Sequence, residues 1–252
     1  MIYITGDTHA DWMSRLNTDA FPEQKQMTKD DYVIICGDFG IWDNSKREKY
    51  NLDWLEDKPF TTLFIDGNHE NYDILDSIEV KQWHGGMVGF VRPHVIHLLR
   101  GQVYTICDKT FFTFGGASSH DIKDGILDRD QFSSDKEFRD TIKTWYRSGK
   151  MFRVNHMSWW SREMPCDAEM EIGRMNLQAA GNKVDYIISH CASTSTAACI
   201  SQGFYKPDVL TDYLEEICRS TDYKKHFCGH YHIDRNVWGK EIILYEQIIR
   251  IV

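Results

Sequence analysis

Short apolar runs in this chain repeatedly end in a glycine and a burst of polar groups. MIYIT runs into Gly6-Asp7-Thr8-His9, YVIIC into Gly37-Asp38, and TTLFI into Asp66-Gly67-Asn68-His69. Later, YIIS meets His190, and HFC meets Gly229-His230-Tyr231-His232. Runs of this length, bounded by turn residues, predict buried strands. Between them, DWMSRLNTDAF, KREKYNLDWLEDK, NYDILDSIEV and DVLTDYLEEICRS carry apolar residues at helical spacing. Alternating strands and helices predict an α/β core, where ligands bind beyond the carboxyl ends of the strands. The stretch 86–117 differs: VRPHVIHLL, QVYTIC and TFFTFGGA follow one another without a helical insert, which predicts adjacent antiparallel strands. EIILYEQIIRIV predicts a strand closing a sheet. Residues 118–182 hold helical stretches and the aromatic loop NHMSWWSREMP. They are expected to form an excursion over the site, within one domain spanning 1–252.

Composition narrows the class. The chain is 42% apolar and 27% charged, as soluble globular proteins are. No apolar run approaches the roughly 20 residues that span a bilayer, and MIYITGDTHADW has no charged leader. No membrane segment or signal peptide is expected. A net charge of −9 argues against extended nucleic-acid binding, although the section 81–165 is net positive. Seven cysteines, an odd number with several inside strand-like runs, predict reduced thiols and a cytoplasmic location.

Taken as one set, the polar clusters supply Asp7, His9, Asp38, Asn68, His190, His230 and His232. A strand alternates faces, so Asp7-x-His9 and His230-x-His232 each place two side chains on one side. Any single cluster is compatible with a capped turn or a helix start. Five in series point to one centre. Seven groups exceed what one tetrahedral zinc takes and suit two divalent ions sharing a ligand. Carboxylate and imidazole donors favour Mn, Fe, Zn or Co over Ca.

In this order the motifs resemble the signature of the calcineurin-like metallophosphoesterase superfamily, and FGGASSHD and SWWSREMP resemble its small bacterial and phage members. The resemblance runs from residue 5 to residue 232. It implies a four-layer α/β/β/α sandwich of two mixed β-sheets flanked by helices, with two divalent metal ions (Mn, Fe or Zn) at the strand ends. It further implies that Asp7, His9 and His232 hold one ion, that Asn68, His190 and His230 hold the other, and that Asp38 bridges them. His69 resembles the family's catalytic histidine, beside the metals and not on them. Glu70 is expected to orient or cap the following helix. Two positions depart from the pattern. Ile41 stands where many members carry a charged residue supporting the catalytic histidine, with Asp43 and Asp66 as candidate substitutes. Ser193 stands where related chains often have proline.

The function implied is a dinuclear metal-dependent phosphoesterase, a phosphatase-type hydrolase, in which a hydroxide bridging the ions attacks phosphorus directly. No serine or cysteine stands out as a nucleophile with its base, so no phosphoenzyme is expected. His69 would protonate the departing oxygen or steady its charge. Substrate contacts are expected from Arg92 in VRPH, from His120 in the turn Ser118-Ser119-His120, from Arg129, and from Arg162 beside Trp159-Trp160. Surface charge and core packing account for those residues equally well. Two other readings stand beside this one: a phosphodiesterase or nuclease acting on nucleotides or RNA ends, and a non-catalytic metal-binding scaffold.

Overall fold

The computed structural model describes residues 1–252. Strands Ile2–Thr5, Tyr32–Ile35, Thr61–Phe64 and Val95–Leu98 lie parallel and side by side. Every residue in them is buried, as parallel strands covered on both faces require. Ile249–Arg250 closes one edge of this first sheet antiparallel, and Gly86–Arg92 and Val80–Trp83 close the other. The second sheet runs Arg235–Val237, Glu241–Ile243, Lys225–Cys228, Tyr186–Ser189, Lys109–Phe114, Gln102–Ile106. Its inner pairs are parallel and its two outer pairs antiparallel.

Period-two alternation along the strands builds the layers. Ile2, Ile4 and Ile34 meet Phe111, Tyr186 and Ile188 between the sheets. Tyr3, Val33 and Ile35 face the other way, onto Trp12 and onto Leu52 and Leu55 of helix Lys46–Glu56. On the second sheet, Phe112, Phe114 and Ile187 turn outward to helices Asp167–Ala179 and Val209–Ser220. The result is the expected helix–sheet–sheet–helix sandwich. Burying each large apolar side chain contributes about 1.5–3 kcal/mol. A four-residue helix such as Tyr72–Leu75 is marginal by itself, so these three cores hold the fold.

Two local expectations change. The strands of 86–114 do pair antiparallel, 86–92 with 95–98 and 102–106 with 109–114, but the two pairs belong to different sheets. The chain crosses between the sheets at 99–101. EIILYEQIIRIV is likewise divided, with Glu241–Ile243 in the second sheet and Ile249–Arg250 in the first. Within 118–182, Gly125–Leu127 and Phe152–Val154 pair in a separate small sheet, packed on helix Asp135–Arg147 through Leu127, Phe138 and Val154. Helix Asp167–Ala179, in the same range, packs on the second sheet instead. No helix is long and apolar enough to cross a membrane.

Candidate metal centre

Five parallel strands end at one place. Asp7 and His9 follow Ile2–Thr5, Asp38 follows Tyr32–Ile35, and Asn68 follows Thr61–Phe64. His190 follows Tyr186–Ser189, and His230 and His232 follow Lys225–Cys228. Ligand atoms of Asp7, His9, Asp38 and His232 all lie within 4.8 Å of one another. On the other side of Asp38, His190 Nε2 is 3.2 Å from Asp38 Oδ1 and 3.3 Å from Asn68 Oδ1. The His190 and His230 ring centroids are 5.0 Å apart. Asp38 borders both groups, for its Oδ2 lies 3.8 Å from His9 Nε2.

The backbone is bent to achieve this. His9, Asp38, His230 and His232 have φ of 46°, 46°, 70° and 49°, a left-handed region that side chains seldom enter. Such residues cost on the order of 1–3 kcal/mol each unless their surroundings hold them. Here they do. The Asp7 carboxylate accepts the His230 N–H at 2.9 and 3.1 Å, and Asp38 Oδ1 accepts the His69 N–H at 2.8 Å. The Phe39 ring stacks against Trp12 and Phe64 and anchors the loop after Asp38. Buried Glu70 accepts the backbone N–H groups of Phe39, Gly40 and Ile41 at 2.6, 3.1 and 3.0 Å. It therefore fixes that loop and does not cap the helix that follows, whose cap is Asn71. The glycines of the motifs are steric necessities: a Cβ on Gly37 would lie 2.2 Å from the His190 ring, and one on Gly229 would lie 2.1 Å from Asp7 Oδ1.

Charge follows geometry. Burial, the largest influence, pushes His9 and His230 below the usual imidazole range, so both are neutral. Burial would push His190 down too, but Asp38 and then Asp7 outweigh it and raise it to about 10. His232 is raised, first by its hydrogen bond to Asp7. Asp38 would be raised by its burial, yet His190 and the neighbouring imidazoles hold it well below the usual carboxylate range. The proton on His190 thus sits against Asp38, where a divalent cation would supply the same positive charge. The oxygen and imidazole donor set fits such ions.

A family model described as calcineurin-like phosphoesterase matches residues 1–234. The chain belongs to that family. This makes it a metal-dependent phosphoesterase, a hydrolase of phosphate esters. No curated protein matches the chain. Among solved structures, phosphopantetheinyl hydrolase (PptH) from Mycobacterium tuberculosis is similar, with 15% identity and a TM-score of 0.45, covering 97% of this chain and 89% of that one.

Beside these carboxylate, amide and imidazole groups lies a cleft of about 190 Å³, bordered also by His69, His120, Asp121 and Arg153. Arg153 Nη2 is 3.1 Å from His69 Nε2. Neither candidate substitute for the missing charged residue reaches His69. Asp43 accepts from the Ser45 N–H, and Asp66 is engaged by Arg100, His97 and Tyr72 at 2.6, 3.1 and 3.0 Å. Burial first, with Arg153 and neighbouring imidazoles adding to it against Asp38, lowers His69 to about 4. Arg153 came with no local sequence signal. Neither did Tyr245, whose ring stacks on His232 with centroids 4.6 Å apart.

His120 does reach the site, with Nε2 2.9 Å from His230 Nε2 and its ring stacked on Tyr205. The arginines singled out in the sequence lie elsewhere. Arg92 pairs with Asp53, Arg129 with Asp135, and Arg162 with Asp76 and Glu169. Trp159 and Trp160 donate their indole N–H groups to Glu163 and Asp73, and Trp160 is core. Ser189 Oγ does stand 2.6 Å from His226 Nε2, a nucleophile-and-base distance. Both are fully buried, and the hydroxyl donates to Cys191 O, so this pair is closed to substrate.

Proposed function

We propose that the chain is a dinuclear metal-dependent phosphoesterase that hydrolyses its substrate by direct attack of water, without a phosphoenzyme. The observation that carries this is the meeting of seven donor side chains from five strand ends around one shared carboxylate, Asp38. In this reading Asp7, His9 and His232 hold one ion, Asn68, His190 and His230 the second, and Asp38 contacts both. Two divalent ions bound there supply charge for the phosphoryl oxygens and acidify a water molecule. The neutral His9 and His230 present lone pairs without first having to lose a proton. The remainder of the ester has room in an adjoining groove of about 400 Å³ that runs from His9 past Trp42.

His69 is assigned to the leaving-group side. Its ring is neutral near pH 7 in the metal-free chain and its Nε2 accepts from Arg153, so it steadies the charge of the departing oxygen by donating its remaining ring N–H. Replacing His69 by Asn is expected to lower kcat about 10²-fold, the lower end for losing one such donor, with both metals retained. A loss below tenfold with metals retained removes His69 from the reaction.

The reading as a whole is tested by stripping the protein and restoring Mn, Fe, Zn or Mg against a panel of phosphomonoesters, diesters and nucleotides. Metal-restored turnover with two ions per chain is expected. Two tightly bound ions with no turnover on any ester would make the chain a scaffold.

A further inference from the structure

Arg153 is held on three sides, and the fourth is open. Its Nε donates to the Asp121 carboxylate at 2.8 and 2.9 Å, its Nη1 donates to Ser158 O at 2.9 Å, and its Nη2 faces His69 Nε2. A guanidinium never gives up its proton in proteins, so His69 Nε2 is the acceptor. These contacts use three of five N–H donors. The other two have no protein acceptor, although Arg153 is only 8% exposed and borders the cleft. If Arg153 served only to fix the segment 121–158, the bonds to Asp121 and Ser158 would suffice. They do not account for the edge turned to the cleft.

We infer that Arg153 is a specificity-determining residue that grips an unesterified, charged phosphoryl oxygen and so selects phosphomonoesters over diesters. This rests on the phosphoesterase reading above and names its substrate class. A monoester dianion has three unesterified oxygens and a diester two. In that reading two oxygens meet the metal-holding side of the cleft, so only a monoester has a third, charged oxygen left for a guanidinium fork. Charge-assisted pairing of Arg with a phosphoryl oxygen is strong because the guanidinium is rigid and weakly hydrated. A diester would put an ester oxygen with its alkyl or aryl group there, leaving a buried cation without its acceptor. Asp121 is the positioning residue that aims the fork.

The test compares wild type, Arg153→Gln, Arg153→Lys and Asp121→Asn, all metal-loaded. Two quantities are read: kcat/KM for p-nitrophenyl phosphate relative to bis-p-nitrophenyl phosphate, and calorimetric binding of inorganic phosphate relative to dimethyl phosphate. Arg153→Gln is expected to lower the monoester-to-diester ratio at least 30-fold and to weaken phosphate relative to dimethyl phosphate at least tenfold. Arg153→Lys should recover part of both, and Asp121→Asn should fall between wild type and Gln. A residue that only stabilises the fold would lower both esters together and leave the ratio unchanged. A ratio within threefold of wild type in Arg153→Gln overturns the inference. The binding arm does not need turnover, so it separates failure here from failure of the phosphoesterase reading. Equal weakening of phosphate and dimethyl phosphate also overturns it.

Discussion

Asp38→Asn is expected to bind at most one divalent ion per chain and to lose at least 10³-fold in kcat. The carboxylate borders both halves of the centre, with Oδ1 toward His190 and Oδ2 toward His9. Asparagine keeps its volume, tolerates the φ of 46°, and can still accept the His69 N–H through Oδ1. The fold should therefore survive, and the loss isolates the charge. An uncharged amide cannot bind two cations with its two ends, and it leaves the His190 imidazolium without its chief counter-ion. Losing one of two Lewis-acid positions removes several kcal/mol of transition-state stabilisation, and 10³-fold corresponds to about 4 kcal/mol. Elemental analysis, a thermal melt and single-substrate kinetics on one preparation check it. Two ions retained with kcat within tenfold of wild type would remove Asp38 from the bridging role.

What could be read from the chain and what could not divide along a physical line. Each of the seven donors is marked locally, because a buried strand must stop before it can offer a polar group, and the stop leaves an apolar run and the group close together, with a glycine between them at every strand end but that of His190. Gly37 and Gly229 carry the same information in steric form, since His190 and Asp7 pack against their backbone. The α/β core was legible because parallel strands buried on both faces read as continuous apolar runs, whereas the division into two sheets and four layers came from the family resemblance. Arg153 was not. It lies in a three-residue strand, and its orientation depends on Asp121, 32 residues earlier, and on His69, 84 residues earlier. Glu70 misled for a similar reason: a carboxylate before a helix resembles a cap, and only the tertiary fold brings the N–H groups of Phe39, Gly40 and Ile41 within its reach. The change of sheet at 99–101 leaves no mark in the apolar pattern, because both sheets draw on the same alternation.

Metal affinity of the stripped protein should rise about tenfold per pH unit between pH 7 and 9. The sign follows from His190. Its folded, metal-free pKa is raised to about 10, so it holds a proton across this range, and an ion at Asn68, His190 and His230 must displace that proton. Each unit of pH makes the displacement easier by 1.36 kcal/mol. Folding stability of the metal-free chain runs the other way. A histidine raised above its unfolded value contributes stability that is complete below about 6.5 and is lost as pH rises toward 10. His232, also raised, adds in the same direction through Asp7. Heating metal-free and metal-loaded protein side by side should therefore show the Tm difference widening from pH 6.5 to 9, as added ions replace a proton that is increasingly easy to remove. Calorimetry of metal binding at pH 7.5 in two buffers of different ionisation enthalpy should count at least one proton released per chain. Release of none, with affinity flat over the two pH units, would mean that His190 is already neutral and that the attraction of Asp38 and Asp7 does not overcome the cost of burying its charge.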